Sequence, residues 1–306
     1  MPAYNAQKYI IEAISSVVNQ SYKNWELIIV NDGSIDGTVK ELKKVTDSRI
    51  RIYHQQNKGQ CNAVNKAFSY SKGQLIKFLD ADDVLSEEFI ERQVAILNGD
   101  LNKIASSEWG RFYNNDLSTF KLNPESVWRN MKPIDWLIES LSSRHNMMQC
   151  GLWLIPRAIL KNSGLWNEKL SLINDFDFII RVVLSAEQIL FTENATLYYR
   201  SGLDNSLSKQ TSDEAMKSAW LSLNKGIETM LSYENSSRVK NAAADTMKLW
   251  MFNFYPFHYD LYIRAKTKVL ILGGSNFKFP AGGKTKVLVK LIGWKLAKII
   301  KYYFKS

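Results

Sequence analysis

Residues 25–38 read WELIIVNDGSIDGT. The run 25–30 is short, apolar and rich in β-formers, and it stops on Asn31-Asp32-Gly33-Ser34, a cluster of turn formers. Asp36-Gly37-Thr38 then opens a helix reaching about Val45. The same alternation continues on both sides. Residues 9–19 place Ile10, Ile14 and Val17 at helical spacing, and RIRIYH at 49–54 alternates like a strand. A further helix covers roughly 61–70, and QLIKFL at 74–79 reads as a strand. That strand runs into Asp80-Ala81-Asp82-Asp83, after which Ser86-Glu87-Glu88 opens a helix through about Leu97. Strands alternating with helices predict an α/β fold with a mostly parallel sheet flanked by helices. Ligands in such sheets bind beyond the carboxyl ends of the strands, where both acidic clusters fall.

The chain has 306 residues, of which 45% are hydrophobic, enough apolar material for a sizeable core and too much for a disordered chain. Two cysteines, Cys61 and Cys150, exclude a disulfide scaffold and a cysteine-based zinc site. No run of eighteen apolar residues predicts a spanning helix, and no signal peptide is read at the start, so a cytoplasmic protein is expected. Residues 101–172 carry Trp109, Trp128, Trp136, Trp153 and Trp166, whose rings suit either core packing or stacking on sugars. A helix signal returns at Asn174-Asp175, and from about 205 to 260 the pattern is helical. The expected organisation is an α/β domain over 1–205 and a helical extension over 206–306.

Asp80 and Asp82 sit on one side of an extended segment because strand side chains alternate. Close carboxylates raise each other's pKa unless a cation lies between them. Oxygen ligands suit hard cations such as magnesium or manganese. An acidic turn that caps the next helix is the other reading of these residues. Asp32 is either a turn residue or an acceptor for a base or ribose. No glycine-rich phosphate loop is present.

PAYN at 2–5, IIVNDGSIDGT at 28–38, NKGQCNAVNKAF at 57–68 and FLDADD at 78–83 together resemble the family-two glycosyltransferases, with their GT-A fold. GLWNEKLSLINDFDFIIRVV at 164–183 resembles the family segment carrying the acceptor-side acid. The resemblance implies inverting, metal-dependent sugar transfer from a nucleoside diphosphate sugar, a UDP-sugar favoured, to a glycan or lipid-linked acceptor. It implies nucleotide-sugar contacts at Pro2, Tyr4, Asp32, Gln60, Asn65 and Asp80, and metal contacts at Asp80 and Asp82, the ion being Mn2+ or Mg2+. Asp83 would share the metal role or cap the next helix. Asp175 would be the catalytic base, with Asp177 as the neighbour to be told apart from it. Where the family has Glu before that base this chain has Asn174, expected to cap the helix instead. The family's first strand, which precedes the PAYN turn, is expected to be missing here, and a longer native chain is expected.

The charge is uneven. Arg264 to Ser306 hold eleven Lys or Arg and no acid, which leaves the rest near neutral. From Thr285, Leu288, Ile292, Leu296, Ile299 and Tyr303 recur at helical steps, with Lys286, Lys290, Lys298, Lys301 and Lys305 on the other half and Trp294, Tyr302 and Tyr303 as interfacial aromatics. A basic amphipathic helix over 285–305 is expected, lying on the inner face of the cell membrane, or else docked on the protein's own body. His54, His145 and His258 read as packed or surface histidines, and Met147-Met148 as core. The competing functions are a sugar nucleotidyltransferase, which lacks its basic glycine-rich loop here, an inactive transferase-like protein, and a nucleic-acid binder using the basic tail. No nucleic acid is expected, because no recognised motif accompanies the tail.

Overall fold

The computed structural model describes residues 1–143, 148–203 and 207–303. His145, Met147, Lys305 and the boundary at 205/206 lie outside the described residues. The first elements are β1 (Pro2–Ala3), α1 (Ile10–Val18), β2 (Leu27–Asp32), α2 (Thr38–Leu42), β3 (Ile50–Gln55), α3 (Gln60–Tyr70), β4 (Leu75–Ile76), β5 (Val84–Leu85) and α4 (Phe89–Leu97). Helix α1 buries Ile10, Ala13, Ile14 and Val17, the three- and four-residue spacing of one helical face. Strands β1, β2 and β3 form a parallel sheet in that order, with Pro2 opposite Val30 and Leu27 opposite Ile50. Strand β1 lies within the PAYN segment itself. The strand expected over 74–79 is regular only at β4, because residues 77–79 have no neighbouring strand to bond.

The second half contains β6 (Lys103–Tyr113), β7 (Asp116–Leu122), α5 (Pro133–Ser143), β8 (Ile155–Pro156), α6 (Arg157–Ser163), α7 (Asn174–Leu184) and β9 (Gln188–Ser201). Here the sheet order is β5-β9-β6-β7, with β6 and β9 parallel and the other pairs antiparallel. The long strand β9 was not foreseen. Its first half, Ile189 to Thr192, is buried on both faces rather than half-exposed, so it lacks a clean two-residue alternation. Trp109, Trp136, Trp153 and Trp166 are buried, and Trp128 stacks on Phe191, so core packing accounts for all five rings.

Helices α8 (Asp213–Tyr233), α9 (Ser237–Phe254), α10 (Tyr259–Ile271) and α11 (Gly283–Tyr303) complete the chain. Residues of α8 to α10, among them Leu223, Ile227, Met247 and Leu261, share one contiguous core with the sheets. Helix α8 lies against α7 so closely that a Cβ on Gly226 would meet the Phe176 ring at 2.6 Å. His258 pairs with Asp213, and His54 is exposed beside Asn31.

The tail departs from the expected single amphipathic helix. Helix α11 is broken at Gly293, whose φ of 76° lies in the left-handed region. Trp294 turns inward onto Phe252, Tyr255 and Phe279 rather than outward. Lys298, expected on the solvent face, donates to the carbonyls of Phe252 and Asn253, and burial lowers its pKa to about 8. Ile292, Leu296 and Tyr303 stay exposed, with Leu288 and Ile299 half-buried. No helix among the described residues is long and apolar enough to cross a membrane.

Candidate active site

Two segments thirty residues apart lock together at the sheet's carboxyl edge. Asn5 N–H donates to Ser34 Oγ, Ala6 N–H to Thr38 Oγ1 and Gln7 N–H to Asp36 Oδ2. In return Asn5 Oδ1 and Gln7 Oε1 accept from Ile35 and Gly37 N–H. Asp32 is buried at the end of β2. Its Oδ1 accepts from Gln55 Nε2 and Lys58 N–H at 2.7 and 2.9 Å, and its Oδ2 accepts from Gly59 N–H at 2.8 Å. Asp32 therefore holds the loop that enters α3.

Asp80, Asp82 and Asp83 lie between β4 and β5, each offering a carboxylate oxygen within 4.8 Å of the others. Asp80 accepts from Gln60 Nε2 at 3.0 Å and from Gln149 Nε2 at 3.1 Å. Gln149 also donates to Asp83 at 2.8 Å. Asp83 does not cap α4. Its second oxygen accepts the Arg200 N–H, while Arg200 Nε donates to the Asp82 carbonyl. The guanidinium is itself matched by Glu12 at 2.5 Å, so it neutralises the acids only in part. Burial raises all three carboxyls, and repulsion from the neighbouring acids raises Asp82 and Asp83 further, with Asp82 reaching about 7. Tyr199 is pushed up by burial and by the same charges. Three crowded carboxylates short of positive charge fit a hard divalent cation with oxygen ligands.

Asp175 is in the first turn of α7, half-buried, and its carboxyl is raised by burial and then by the Asp80 charge. The start of α7 meets the acid cluster through Gln60, which bonds both Asn174 and Asp80, although 95 positions separate Asp80 from Asp175. Asp177 faces the other way and pairs with Arg181 at 2.9 Å. Asn174 does not cap α7. The cap position is Ile173, and the Asn174 amide donates to Gln60 Oε1 at 3.0 Å and to Cys61 Sγ at 3.3 Å. Gln60 therefore links the acid cluster to the start of α7. Pro2 is buried in β1 and Tyr4 is half exposed beside it. Asn65 bonds the backbone of Trp166 and the carboxylate of Glu168.

The family model described as glycosyl transferase family 2 matches residues 1–164. The chain belongs to that family. It is 31% identical over 215 residues to glycosyltransferase GlyG of Streptococcus pneumoniae, an alignment covering 65% of this chain and 69% of that one. It is 40% identical over 98 residues to an Escherichia coli enzyme named UDP-Glc:alpha-D-GlcNAc-diphosphoundecaprenol beta-1,3-glucosyltransferase WfgD, covering 32% of this chain and 39% of WfgD. The fold matches S. aureus TarS 1-349 with a TM-score of 0.67 at 17% identity, over 89% of this chain and 79% of that structure. A TarS structure in complex with UDP-GlcNAc matches at 0.63 and 16% identity, over 89% and 88%. This glycosyltransferase has the GT-A fold.

Three residues of the site had no signal in the sequence. Gln149 lies in a polar-to-apolar stretch, QCGLW, with no motif spacing. Lys77 alternates as an ordinary strand residue, yet its ammonium is buried over the Phe89 ring and donates to the Gly151 carbonyl at 2.6 Å, bracing the segment that carries Gln149. Burial holds that ammonium well below the usual lysine range. Arg200 ends a strand that was itself unforeseen.

Proposed function

We propose that this chain moves a hexosyl group from a nucleoside diphosphate sugar to a hydroxyl of a glycan or lipid-linked acceptor, with inversion, during assembly of a cell-surface polysaccharide. The observation that carries the reading is the cluster of Asp80, Asp82 and Asp83, joined through Gln60 to Asn174 at the start of the helix that carries Asp175. Asp80 and Asp82, with Asp83 beside them, are the residues that would hold a divalent cation, Mn2+ or Mg2+. Such a cation supplies Lewis-acid stabilisation of the leaving diphosphate. Asp175 takes the proton from the attacking hydroxyl. Its raised pKa makes it the stronger base for that task. One displacement from the face opposite the leaving group inverts the anomeric centre and needs no covalent nucleophile. Pro2, Tyr4 and Asp32 flank the nucleotide end, and Gln60 orients Asp80 toward Asn174. The TarS complex with UDP-GlcNAc supports a uridine nucleotide donor, and the WfgD name supports a lipid-linked acceptor. The basic tail and its exposed apolar residues support a position on the inner face of the cell membrane.

The test is a thermal-shift panel of nucleoside diphosphate sugars with and without manganese, followed by transfer assays with the stabilising donor. A specific donor should raise the melting temperature by mass action, and more so with metal. If no nucleoside diphosphate sugar shifts the melt under either condition, the reading is wrong.

A further inference from the structure

The C-terminal helices form an open groove of about 310 Å3, remote in sequence from the acid cluster. Its walls come from α9, α10, the 274–275 turn and α11, and none comes from the elements that carry Asp80 or Asp175. Three ammonium groups line it, from Lys248, Lys266 and Lys295, and no carboxylate does. Among the described residues none of the three forms an ion pair. Lys248 Nζ donates to the Ser275 carbonyl, which fixes its head at the rim. Lys295 is held over the rings of Tyr262 and Trp294, 5.2 and 5.9 Å from their centroids. Trp294 is in place because Gly293 breaks α11 there, and Tyr262 is anchored in the core.

The apolar part of this groove includes Met251, Val269 and Leu270. Leu270, at the end of α10, is 67% exposed. A cationic groove with an aromatic wall and an exposed leucine beside buried apolar side chains fits one chemistry. That chemistry is a phosphate joined to acyl chains, with the anion inside and the chains along the apolar rim.

We propose that this groove binds the phosphate headgroup of an anionic membrane phospholipid, giving the tail a defined lipid site rather than a diffuse charge contact. The proposal rests on the membrane-surface reading above and adds a stoichiometric site to it.

The experiment uses the full chain and sedimentation with vesicles of phosphatidylcholine alone or with added phosphatidylglycerol. Two double variants remove equal charge: Lys266→Gln with Lys295→Gln in the groove, and Lys286→Gln with Lys290→Gln outside it. The groove pair should weaken partitioning into anionic vesicles about tenfold, while the outside pair should weaken it less than about threefold. Lys266→Gln alone, at an exposed position without structural partners, gives the same direction should the double variant melt early. A second arm measures melting with short-chain soluble phosphatidylglycerol, short-chain phosphatidylcholine or inorganic phosphate. Stabilisation by the first, lost in Lys266→Gln, supports the site. Equal losses from the two pairs reduce the contact to diffuse charge and overturn it, leaving surface binding intact. Equal stabilisation by inorganic phosphate makes it a site for the free ion and also overturns it. If wild type never pellets with anionic vesicles, the surface reading falls and the lipid site with it.

Discussion

At the residue scale, Asp175 and Asp82 separate by the step each serves. Asp175→Asn keeps the shape and the hydrogen-bonding of the first turn of α7 but cannot take a proton. It should lower kcat by about 10²–10⁴-fold, the range of a lost general base, with the donor-induced melting shift nearly unchanged. A variant that binds donor more weakly by the same factor would instead make Asp175 a donor-binding group. Burial and Asp80 raise the Asp82 carboxyl to about 7. In the unfolded chain such a group ionises near pH ~3.9. Between those values the folded, metal-free protein holds a proton the unfolded chain has released. This cluster's contribution to stability therefore falls as pH rises through that window. Metal binding needs the deprotonated ligands, so the stabilisation by manganese should be larger at high pH. Calorimetry with chelator and with manganese at pH 5.5 and 8, roughly bracketing that midpoint, checks both signs. An equal metal increment at the two pH values contradicts the assignment. Gln149→Ala removes the amide shared by Asp80 and Asp83 and should weaken manganese binding about 10–100-fold by titration calorimetry.

At the element scale, the helix carrying Asp175 is held by α8, and Gly226 sets their separation. Gly226→Ala would drive a methyl into the Phe176 ring. It should destabilise by about 1–3 kcal/mol in a denaturant titration, as overpacked cores do, and lower transfer by tilting α7. Short local patterns were readable here. Ile10, Ile14 and Val17 betrayed α1, and WELIIV followed by Asn-Asp-Gly betrayed β2 and its turn. Strand β9 was not readable, because its first half, Ile189 to Thr192, is buried on both faces and carries no alternation. The break in α11 was also hidden. Five apolar residues keep helical spacing straight across Gly293, and only the docking of Trp294 onto Phe252 and Tyr255 forces the chain to turn.

At the scale of the whole molecule, the tail is part of the body as well as a surface element. Trp294 covers aromatic rings of α9 and α10, and Ala297 is fully buried. Deleting 283–306 should lower the melting temperature, raise the binding of a hydrophobic dye, and leave the donor-induced shift in place. Loss of the donor shift would show that the tail supports the nucleotide site. The α/β order, the acid clusters at strand ends and the family were determined by the sequence alone, because each depends on contacts or patterns a few residues long. Which acids meet was decided only by tertiary structure. The start of the helix that carries Asp175 meets Asp80 through Gln60 because α7 is pressed between the core and α8, and Asp177, two residues on, turns to Arg181 instead. The bridging amides of Gln60 and Gln149 and the inward turn of Trp294 belong to the same class. Their partners lie tens of residues away, and only burial, which the whole chain must complete, makes those contacts more favourable than water.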